Sequence, residues 1–450
     1  MKFENVHMVL PGHKVGFGSI EFEGGRITAV DAESCGGEAE SLPLQNKDFS
    51  NSSDSRGKDS SAPRLLVLPG LINCHGHTPM TLVRGLGGGL PLQRWLEEAI
   101  FPVEAKMTPA DVKAGMVWGV LEMLAGGTTC VADMYDFPGA CLDALRETGF
   151  RGRVGRVGLS FVPGRLEDCI SFLRRGKDSS SPMGGNAGSG GIPSSALTDI
   201  DLCIHSEYLT DEKFCRGLAE ANGEFRRPLN FHCSETKKEH EECIARHGKT
   251  PIAYLASTGI LDHGGYAAHC VYCTDDDFRI MAEKGVSLVH NPSSNMKLGS
   301  GFARVTRAME LGVNVALGTD GCASNDNLDM FEEMHLASLI HKGLACDPTA
   351  LPAWDVIDMA TVNGAKALGM SDVGEIAVGK QADFCVVDLD RIHLVPTLDI
   401  PNLVVHSMHA SDVVETWVAG RKLYDRGAFA AVDFEAAKND FISSVKRLGL

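Results

Sequence analysis

The sequence lacks an excess of positive charge, a long apolar run and any regular spacing of cysteine. Its 42 Lys and Arg residues are outnumbered by 59 Asp and Glu residues, which gives a formal net charge of −17. An acidic surface repels phosphate backbones and anionic lipid headgroups. No apolar stretch approaches the roughly 20 residues that a membrane-spanning helix requires. The sequence therefore predicts neither a nucleic-acid-binding protein nor a membrane protein.

The start of the sequence gives no reason to expect a secretory signal. The first residues, MKFENVHMVLPGHKVGFG, contain no apolar core region and no cleavage site. The 14 cysteines follow no framework spacing. In a long chain without a signal, reduced thiols are the simpler interpretation. We therefore expect a cytoplasmic protein.

The central part of the chain alternates short apolar runs with longer amphipathic stretches. The runs include LLVLPGLINCH, TTCVADMY, PLNFHCSE and VNVALGTDG, and helical patterns lie between them. Repetition of strand and then helix indicates parallel strands joined by crossover helices. Eight such units, counted from LLVLPGLINCH as the first barrel strand, predict an α/β fold with a (β/α)8 TIM barrel over residues 66–370. A doubly wound open sheet is the alternative.

The two ends of the chain have a different pattern. Within residues 1–65 and 371–450, the first forty residues and the segment after residue 370 alternate apolar and polar side chains, as in ENVHMVL and VVETWVAGRKLYDRG, which predicts short antiparallel strands. We expect these two segments to form one small composite β-sandwich domain. Residues 46–64 and 175–197 are polar and poor in large apolar side chains, so we expect flexible insertions without a chemical role.

Polar residues end many of the central apolar runs. In a (β/α)8 barrel the carboxyl ends of the strands converge on one face, where active sites are built. His75 and His77 have the same strand parity, so both side chains are expected to point into the barrel. The strand-end residues are His75, His77, His205, His232, His269 and Asp320.

The joint placement of these residues predicts a metal centre. Each of them alone has an ordinary structural explanation, such as a hydrogen-bonded histidine or a turn aspartate. Three imidazoles and a carboxylate together suit one catalytic Zn²⁺ with room for water, with Fe²⁺ and Mn²⁺ as alternatives. Glu235 follows His232 by three residues. Its carboxylate is therefore a candidate to carry a proton to a ring nitrogen, and Asp320 to accept one.

Several motifs resemble the metal-dependent amidohydrolase superfamily. They are PGLINCHGHTPMTLVRG, HCSET, AAHCV, HNPSSNMKLGSG and LGTDGCASNDNLDMF. The segment GEIAVGKQADFCVVDLD resembles the return of that family into its small β domain. The similarity covers nearly the whole chain. Within the superfamily, the sequence resembles the 5′-methylthioadenosine/S-adenosylhomocysteine deaminases, with the triazine chlorohydrolases nearby.

The resemblance implies a role for each strand-end residue. No lysine occupies the strand end around DLCIHSE, so a binuclear site with a carbamylated lysine is disfavoured. The His-x-x-Glu pair favours deamination of a ring amidine, with a proton delivered beside the attacked carbon. The implied ligands of one metal ion are His75, His77, His232 and Asp320, and the implied catalytic residues are Glu235, His269 and Asp320.

The same resemblance implies contacts with a purine nucleoside. By similarity, Trp95 flanks the substrate, and Glu104 accepts hydrogen bonds from the ribose 2′ and 3′ hydroxyls. Arg165 and His205 match two further nucleoside-contacting positions, and Ser324 lines the pocket. The implied substrate-binding residues are thus Trp95, Glu104, Arg165, His205, Glu235 and Ser324.

The sequence hypothesis is a deaminase of an adenosine-type nucleoside. S-adenosylhomocysteine, 5′-methylthioadenosine or adenosine would give the inosine analogue and ammonia, with Glu235 protonating N1 and Asp320 moving a proton. The main alternative is the same site acting on guanine, a pterin or a triazine. Two more remote alternatives are a non-enzymatic barrel scaffold and a dihydropyrimidinase-type hydrolase, which would need the missing lysine. A homo-oligomer is left open.

Overall fold

The computed structural model describes residues 1–34, 64–90, 92–178 and 197–450. Of the two expected insertions, residues 46–63 and 179–196 lie outside the described residues. Residues 175–178 form the end of a helix that spans Arg165–Asp178. Within the described residues, no helix has the length and apolar content that crossing a bilayer demands.

The strands fall into two separate sheets. In chain order they are β1 (Lys2–Leu10), β2 (Lys14–Glu23), β3 (Arg26–Ser34), β4 (Leu65–Pro69), β5 (Leu71–Gly76), β6 (Thr128–Tyr135), β7 (Arg151–Arg156), β8 (Thr198–Cys203), β9 (Leu229–Cys233), β10 (Gly265–His269), β11 (Val286–His290), β12 (Val315–Leu317), β13 (Phe384–Asp388), β14 (Val413–Val418), β15 (Arg421–Asp425) and β16 (Ala428–Phe429).

Helices connect the strands of the central region. In chain order they are α1 (Leu92–Arg94), α2 (Phe101–Glu104), α3 (Pro109–Ala125), α4 (Pro138–Thr148), α5 (Arg165–Asp178), α6 (Glu212–Phe225), α7 (Lys237–His247), α8 (Pro251–Thr258), α9 (Asp275–Lys284), α10 (Pro292–Lys297), α11 (Val305–Glu310), α12 (Met330–Ala345), α13 (Ala353–Ala360), α14 (Val362–Ala367), α15 (Ile400–His406) and α16 (Phe434–Leu448). A π-helical turn (Trp95–Ile100) joins α1 to α2, and short 3₁₀ helices span Thr78–Val83, Glu207–Leu209, Ile392–Leu394 and Ala410–Asp412.

The central sheet is a parallel barrel. Its order is β5-β6-β7-β8-β9-β10-β11-β12, the same as the chain order. The ends of this sheet meet after β12, where the Asp320 N–H donates to the His75 carbonyl at 2.9 Å. Buried Asn73 adds to this closure, because its side chain accepts from the Thr319 N–H at 3.0 Å and donates to Thr319 Oγ1 at 2.7 Å. The predicted (β/α)8 barrel is confirmed.

The other sheet contains strands from both ends of the chain. Its order is β16-β15-β14-β13-β4-β1-β2-β3. In a flat sheet, strands four positions apart would be separated by about 19 Å. The rings of Phe22 on β2 and Trp417 on β14, four positions apart, nevertheless lie only 5.2 Å from each other. The sheet therefore folds over and encloses an aromatic core, which confirms the composite β domain.

The run LLVLPGLINCH forms two strands rather than one. Residues of β4 belong to the terminal sheet, and residues of β5 open the barrel. The chain passes from one sheet to the other at Gly70. A Cβ atom there would lie 2.2 Å from Thr129 Oγ1, so the close approach to β6 requires glycine. The sequence pattern does not show this crossing, because the side chains on both sides of Gly70 are apolar and buried.

A buried ion pair joins the two sheets. Arg151 begins β7, and its Nε and Nη2 donate to Asp383, just before β13, at 2.7 and 3.1 Å. The two side chains are only 5% and 2% exposed. Asp383 also accepts from the Ala419 N–H at 2.6 Å. Each charge is therefore neutralised and hydrogen-bonded where water cannot reach it.

Replacement of Asp383 by alanine is expected to destabilise the protein strongly. The Arg151 guanidinium would stay buried without its counter-charge, which costs about 3–5 kcal/mol. A matched control is Asp143→Ala, because Asp143 pairs with Arg146 on the surface and is 66% exposed; it should cost less than about 1 kcal/mol. Thermal unfolding of the two variants measures the difference. Equal melting temperatures would contradict the role of the buried pair.

Candidate active site

The strand ends bring the metal-ligand candidates together. The Nε2 atoms of His77 and His232 lie 3.1 Å apart. Asp320 Oδ1 lies 3.4 Å from His77 Nε2 and 3.6 Å from His75 Nε2. One ligand atom from each of His75, His77 and His232 falls within 4.8 Å of the others, and the same holds for His75, His269 and Asp320. All the strand-end residues expected to bind metal therefore surround one point.

The hydrogen bonds made by Nδ1 of His77 and of His232 determine whether their Nε2 atoms carry a proton or a lone pair. The Nδ1–H of His77 donates to the Met134 carbonyl at 2.6 Å, and that of His232 donates to the His205 carbonyl at 2.8 Å. Because a carbonyl only accepts, both Nε2 atoms present lone pairs to one another. Two lone pairs 3.1 Å apart repel unless a cation lies between them.

The surroundings of His75 also indicate a site for a cation. It is fully buried, and neither of its ring nitrogens has a hydrogen-bond partner among the described residues. A buried polar group without a partner is costly, and a metal ion would satisfy it. Burial lowers the pKa of His75 to about 4, so its imidazole is neutral and able to bind a cation at neutral pH. The residues present thus fit a divalent metal ion.

Asp320 is held in an uncommon backbone conformation. Its φ of 63° lies in the left-handed region, which a non-glycine residue rarely adopts. Ser294 Oγ donates to Oδ2 at 2.6 Å, and the Gly321 N–H donates to Oδ1 at 2.8 Å. Burial opposes ionisation, but the adjacent His75 and His77 outweigh it and keep the pKa of Asp320 well below its usual range. The carboxylate is therefore ionised and aimed at the histidines.

Glu235 and His269 face each other beside the ligand cluster. Glu235 Oε2 lies 3.9 Å from His269 Nε2, and Ser300 Oγ donates to Glu235 Oε1 at 3.3 Å. The His269 Nδ1–H donates to Asn295 Oδ1 at 2.9 Å, which orients the ring. Burial raises the pKa of Glu235. Burial also disfavours the charged form of His269, but the carboxylates of Glu235 and Asp320 outweigh it and raise its pKa. Such a pair suits proton transfer near neutral pH.

A cavity of about 430 Å³ opens above this cluster. This volume is typical of a site for a small molecule. Most of its wall is apolar or aromatic. Its lining includes the expected residues His77, Trp95, Glu104, His205, His232, Glu235, His269, Asp320 and Ser324.

Arg165 is outside the lining of this cavity. Its Nη1 donates to Asp136 Oδ1 at 2.9 Å and to the Val157 carbonyl at 2.8 Å. Asp136 does line the cavity, and Arg156 also donates to it, at 3.2 Å. The structure thus places Arg165 behind an acidic residue of the wall rather than at its surface.

Sequence reasoning missed several residues of the site. Tyr135 lies at the end of β6, lines the cavity and donates to Glu104 Oε1 at 2.6 Å. Burial raises the pKa of Glu104. Tyr135 ends the run TTCVADMY and Asp136 follows it directly, so the strand-end rule applied to that run would have found them. Ser294 and Asn295 lie in the quoted motif HNPSSN, but spacing alone does not show which side chains they contact.

Relatives of the chain have been named for their activity. The model of the amidohydrolase family matches residues 66–423. A 5-methylthioadenosine/S-adenosylhomocysteine deaminase of Acetivibrio thermocellus is 40% identical over 408 residues, 89% of this chain and 92% of that protein. A 5′-deoxyadenosine deaminase of Methanosarcina barkeri is 38% identical over 433 residues, 96% of this chain and 93% of that protein.

A solved structure agrees over the whole chain. The crystal structure of an adenosine deaminase from Xanthomonas campestris with bound zinc has a TM-score of 0.85 and 30% identity, and the match covers 100% of this chain and 98% of that one. Fold and site together define a metal-dependent enzyme built on a (β/α)8 barrel. The chain belongs to the amidohydrolase family.

Replacement of His232 by asparagine is expected to remove most of the bound metal. The variant lacks the Nε2 lone pair that faces His77 at 3.1 Å. Elemental analysis of the purified protein gives the metal content per chain. His263→Asn is the control, since His263 is outside the lining of the cavity and should leave the metal content unchanged. Full metal retention in His232→Asn would contradict the assigned ligand set.

Proposed function

We propose that this protein deaminates adenosine-type nucleosides by hydrolysis. The carrying observation is that one cavity holds, besides Asp136 and Asp320, two further carboxylates: Glu235 beside the ligand cluster, and Glu104, which accepts a hydrogen bond from Tyr135. The first suits proton transfer to a purine ring, and the second suits the diol of a ribose. The named activities of the relatives from Acetivibrio thermocellus and Methanosarcina barkeri support this proposal.

A divalent metal would be held by His75, His77, His232 and Asp320. When bound, such an ion would lower the pKa of a water molecule toward neutrality and so supply the attacking hydroxide. Three imidazoles with one carboxylate suit Zn²⁺, and we propose it ahead of Fe²⁺ and Mn²⁺. The zinc in the structure from Xanthomonas campestris supports this choice.

The protein's own residues then carry the protons. Glu235, whose pKa is raised by burial, would deliver a proton to N1 of the adenine ring. His269 orients the attacking water from the other side. Asp320 accepts a proton from that water and returns it to the amino group. A C6–O bond forms, the C6–N bond breaks and ammonia leaves, while the second proton of the water passes from the new hydroxyl group back to Glu235 as the C6 carbonyl of the inosine analogue forms.

The rest of the cavity would recognise the nucleoside. Trp95, His205 and Ser324 would contact the base and sugar from the wall. The Glu104 carboxylate would accept hydrogen bonds from the ribose hydroxyls, with one oxygen already held by Tyr135 at 2.6 Å. Arg165 would act through Asp136, which it holds in place.

Aromatic rings at the mouth of the cavity would contact the 5′ substituent of the nucleoside. Phe101, Phe137 and Phe161 line the mouth and are 46%, 39% and 67% exposed. These rings provide an apolar surface for a thioether or a 5′-deoxy carbon. We therefore propose 5′-methylthioadenosine, S-adenosylhomocysteine and 5′-deoxyadenosine as substrates ahead of free bases.

The proposed location is the cytoplasm. The cysteines of the described residues are all free thiols. Free thiols persist in a reducing compartment. The proposed partner is the small-molecule substrate.

A substrate panel tests the function directly. Protein of known metal content is incubated with S-adenosylhomocysteine, methylthioadenosine, 5′-deoxyadenosine, adenosine and guanine, and ammonia release and the change in ultraviolet absorbance are followed. Turnover of the 5′-modified nucleosides is expected. Activity confined to guanine or a triazine would overturn the proposed substrate while leaving the hydrolytic chemistry in place.

Replacement of Glu104 by glutamine is expected to impair nucleosides selectively. Loss of a charged acceptor for the ribose hydroxyls should lower kcat/KM about 10–100-fold for these substrates. Any residual turnover of free adenine, which has no ribose, should be unaffected. Glu98→Gln is the matched control, because Glu98 lies in the same helical segment and is 51% exposed. Unchanged nucleoside kinetics would remove Glu104 from the substrate site.

A further inference from the structure

The turn after β9 is held by a carboxylate that the proposed reaction does not use. Glu239 lies on α7 and is 7% exposed. Its Oε1 accepts from the Ser234 N–H and its Oε2 accepts from the Glu235 N–H, both at 2.8 Å. One side chain therefore binds two consecutive backbone amides, and the second belongs to the residue assigned to proton transfer.

The backbone of this turn needs such support. Ser234 has a φ of 48°, in the left-handed region that disfavours a residue with a side chain. The strand has ended at Cys233. Without Glu239, the backbone amides of Ser234 and Glu235 would therefore be buried and unpaired. Ser234 Oγ also contacts His240 Nδ1 at 3.1 Å, again from α7.

Helix α7 is itself firmly placed against the turn. Its first turn begins at Thr236, whose hydroxyl accepts from the Glu239 N–H at 3.2 Å. Glu239 thus donates one hydrogen bond through its backbone N–H and accepts two through its side-chain carboxyl group. A short closed loop links Ser234, Glu235, Thr236 and Glu239.

The position of Glu235 depends on this loop. Its side chain must reach from the turn to the cavity, where Oε2 lies 3.9 Å from His269 Nε2. Ser300 contacts the same carboxylate at 3.3 Å, a long and therefore weak hydrogen bond. The backbone anchor at Glu239 is the tighter constraint, since its two hydrogen bonds, each of 2.8 Å, are shorter than the 3.3 Å contact of Ser300.

We propose that Glu239 is a positioning residue that sets where the Glu235 carboxylate lies. It touches neither substrate nor metal ligand directly, and it acts through the two amides of the turn. The inference rests on the proposed function, because it assumes that Glu235 moves the proton. Proton transfer is sensitive to misplacement of the donor by about 1 Å.

The test compares Glu239→Gln with the wild type. Glutamine has nearly the same size but only one acceptor oxygen, so it can hold only one of the two amides. We expect kcat to fall about 10–100-fold, while KM changes less than about threefold and metal content and melting temperature stay the same. Glu242→Gln is the control, because Glu242 lies on the same helix and is 51% exposed. It should match the wild type.

A second measurement reports on the turn without using activity. Hydrogen exchange, followed by mass spectrometry on a peptide that spans residues 231–238, counts protected amides. Glu239→Gln should expose one further amide of this peptide to rapid exchange, and Glu239→Ala two. Unchanged protection in both variants would overturn the anchor itself.

The two readouts separate the possible failures. Kinetics are measured on whichever panel substrate the wild type converts, so failure of the nucleoside proposal is visible in the wild type alone. Faster exchange with unchanged kcat would overturn the positioning role. A fall in melting temperature or metal content parallel to the fall in kcat would show a merely structural role and would also overturn it.

Discussion

The hydrogen bond from the Asp320 N–H to the His75 carbonyl closes the barrel, and the site depends on it. It joins the last strand of the sheet to the first at a distance of 2.9 Å. The same contact brings the carboxylate of Asp320 to within 3.6 Å of the His75 ring. Closure of the fold and assembly of the ligand cluster are therefore one event. Asn73 and Thr319 reinforce it one layer further inside the barrel.

The closed site concentrates charge where water is scarce. Low local polarity disfavours every ionised group, so each one needs a partner. Asp320 stays ionised because of the neighbouring histidines, whereas burial raises the pKa of Glu235. The pKa values of two carboxyl groups at one strand-end face are thus shifted in opposite directions. That difference suits the proposed roles, in which Asp320 binds a cation and Glu235 delivers a proton.

Much of the fold and the candidate site could be predicted from the sequence. Period and order of the apolar runs indicate a parallel barrel, and the rule that active sites lie at strand ends selects His75, His77, His232, His269 and Asp320. The rule does not assign contacts across the barrel. Tyr135 binding Glu104, or Arg165 lying behind Asp136, depends on side-chain packing between segments far apart in the chain.

The crossing at Gly70 shows the same limit for the fold. Both halves of LLVLPGLINCH are apolar, and only the pairing partners show that β4 and β5 belong to different sheets. By itself the sequence determined the residue types, their strand parity and their place at strand ends, because these follow from local periodicity. Only the tertiary structure decided that the Nε2 atoms of His77 and His232 face each other. It also decided that Glu239 anchors the turn formed by Ser234 and Glu235. Such relations arise when barrel closure brings distant strand ends and helices into contact.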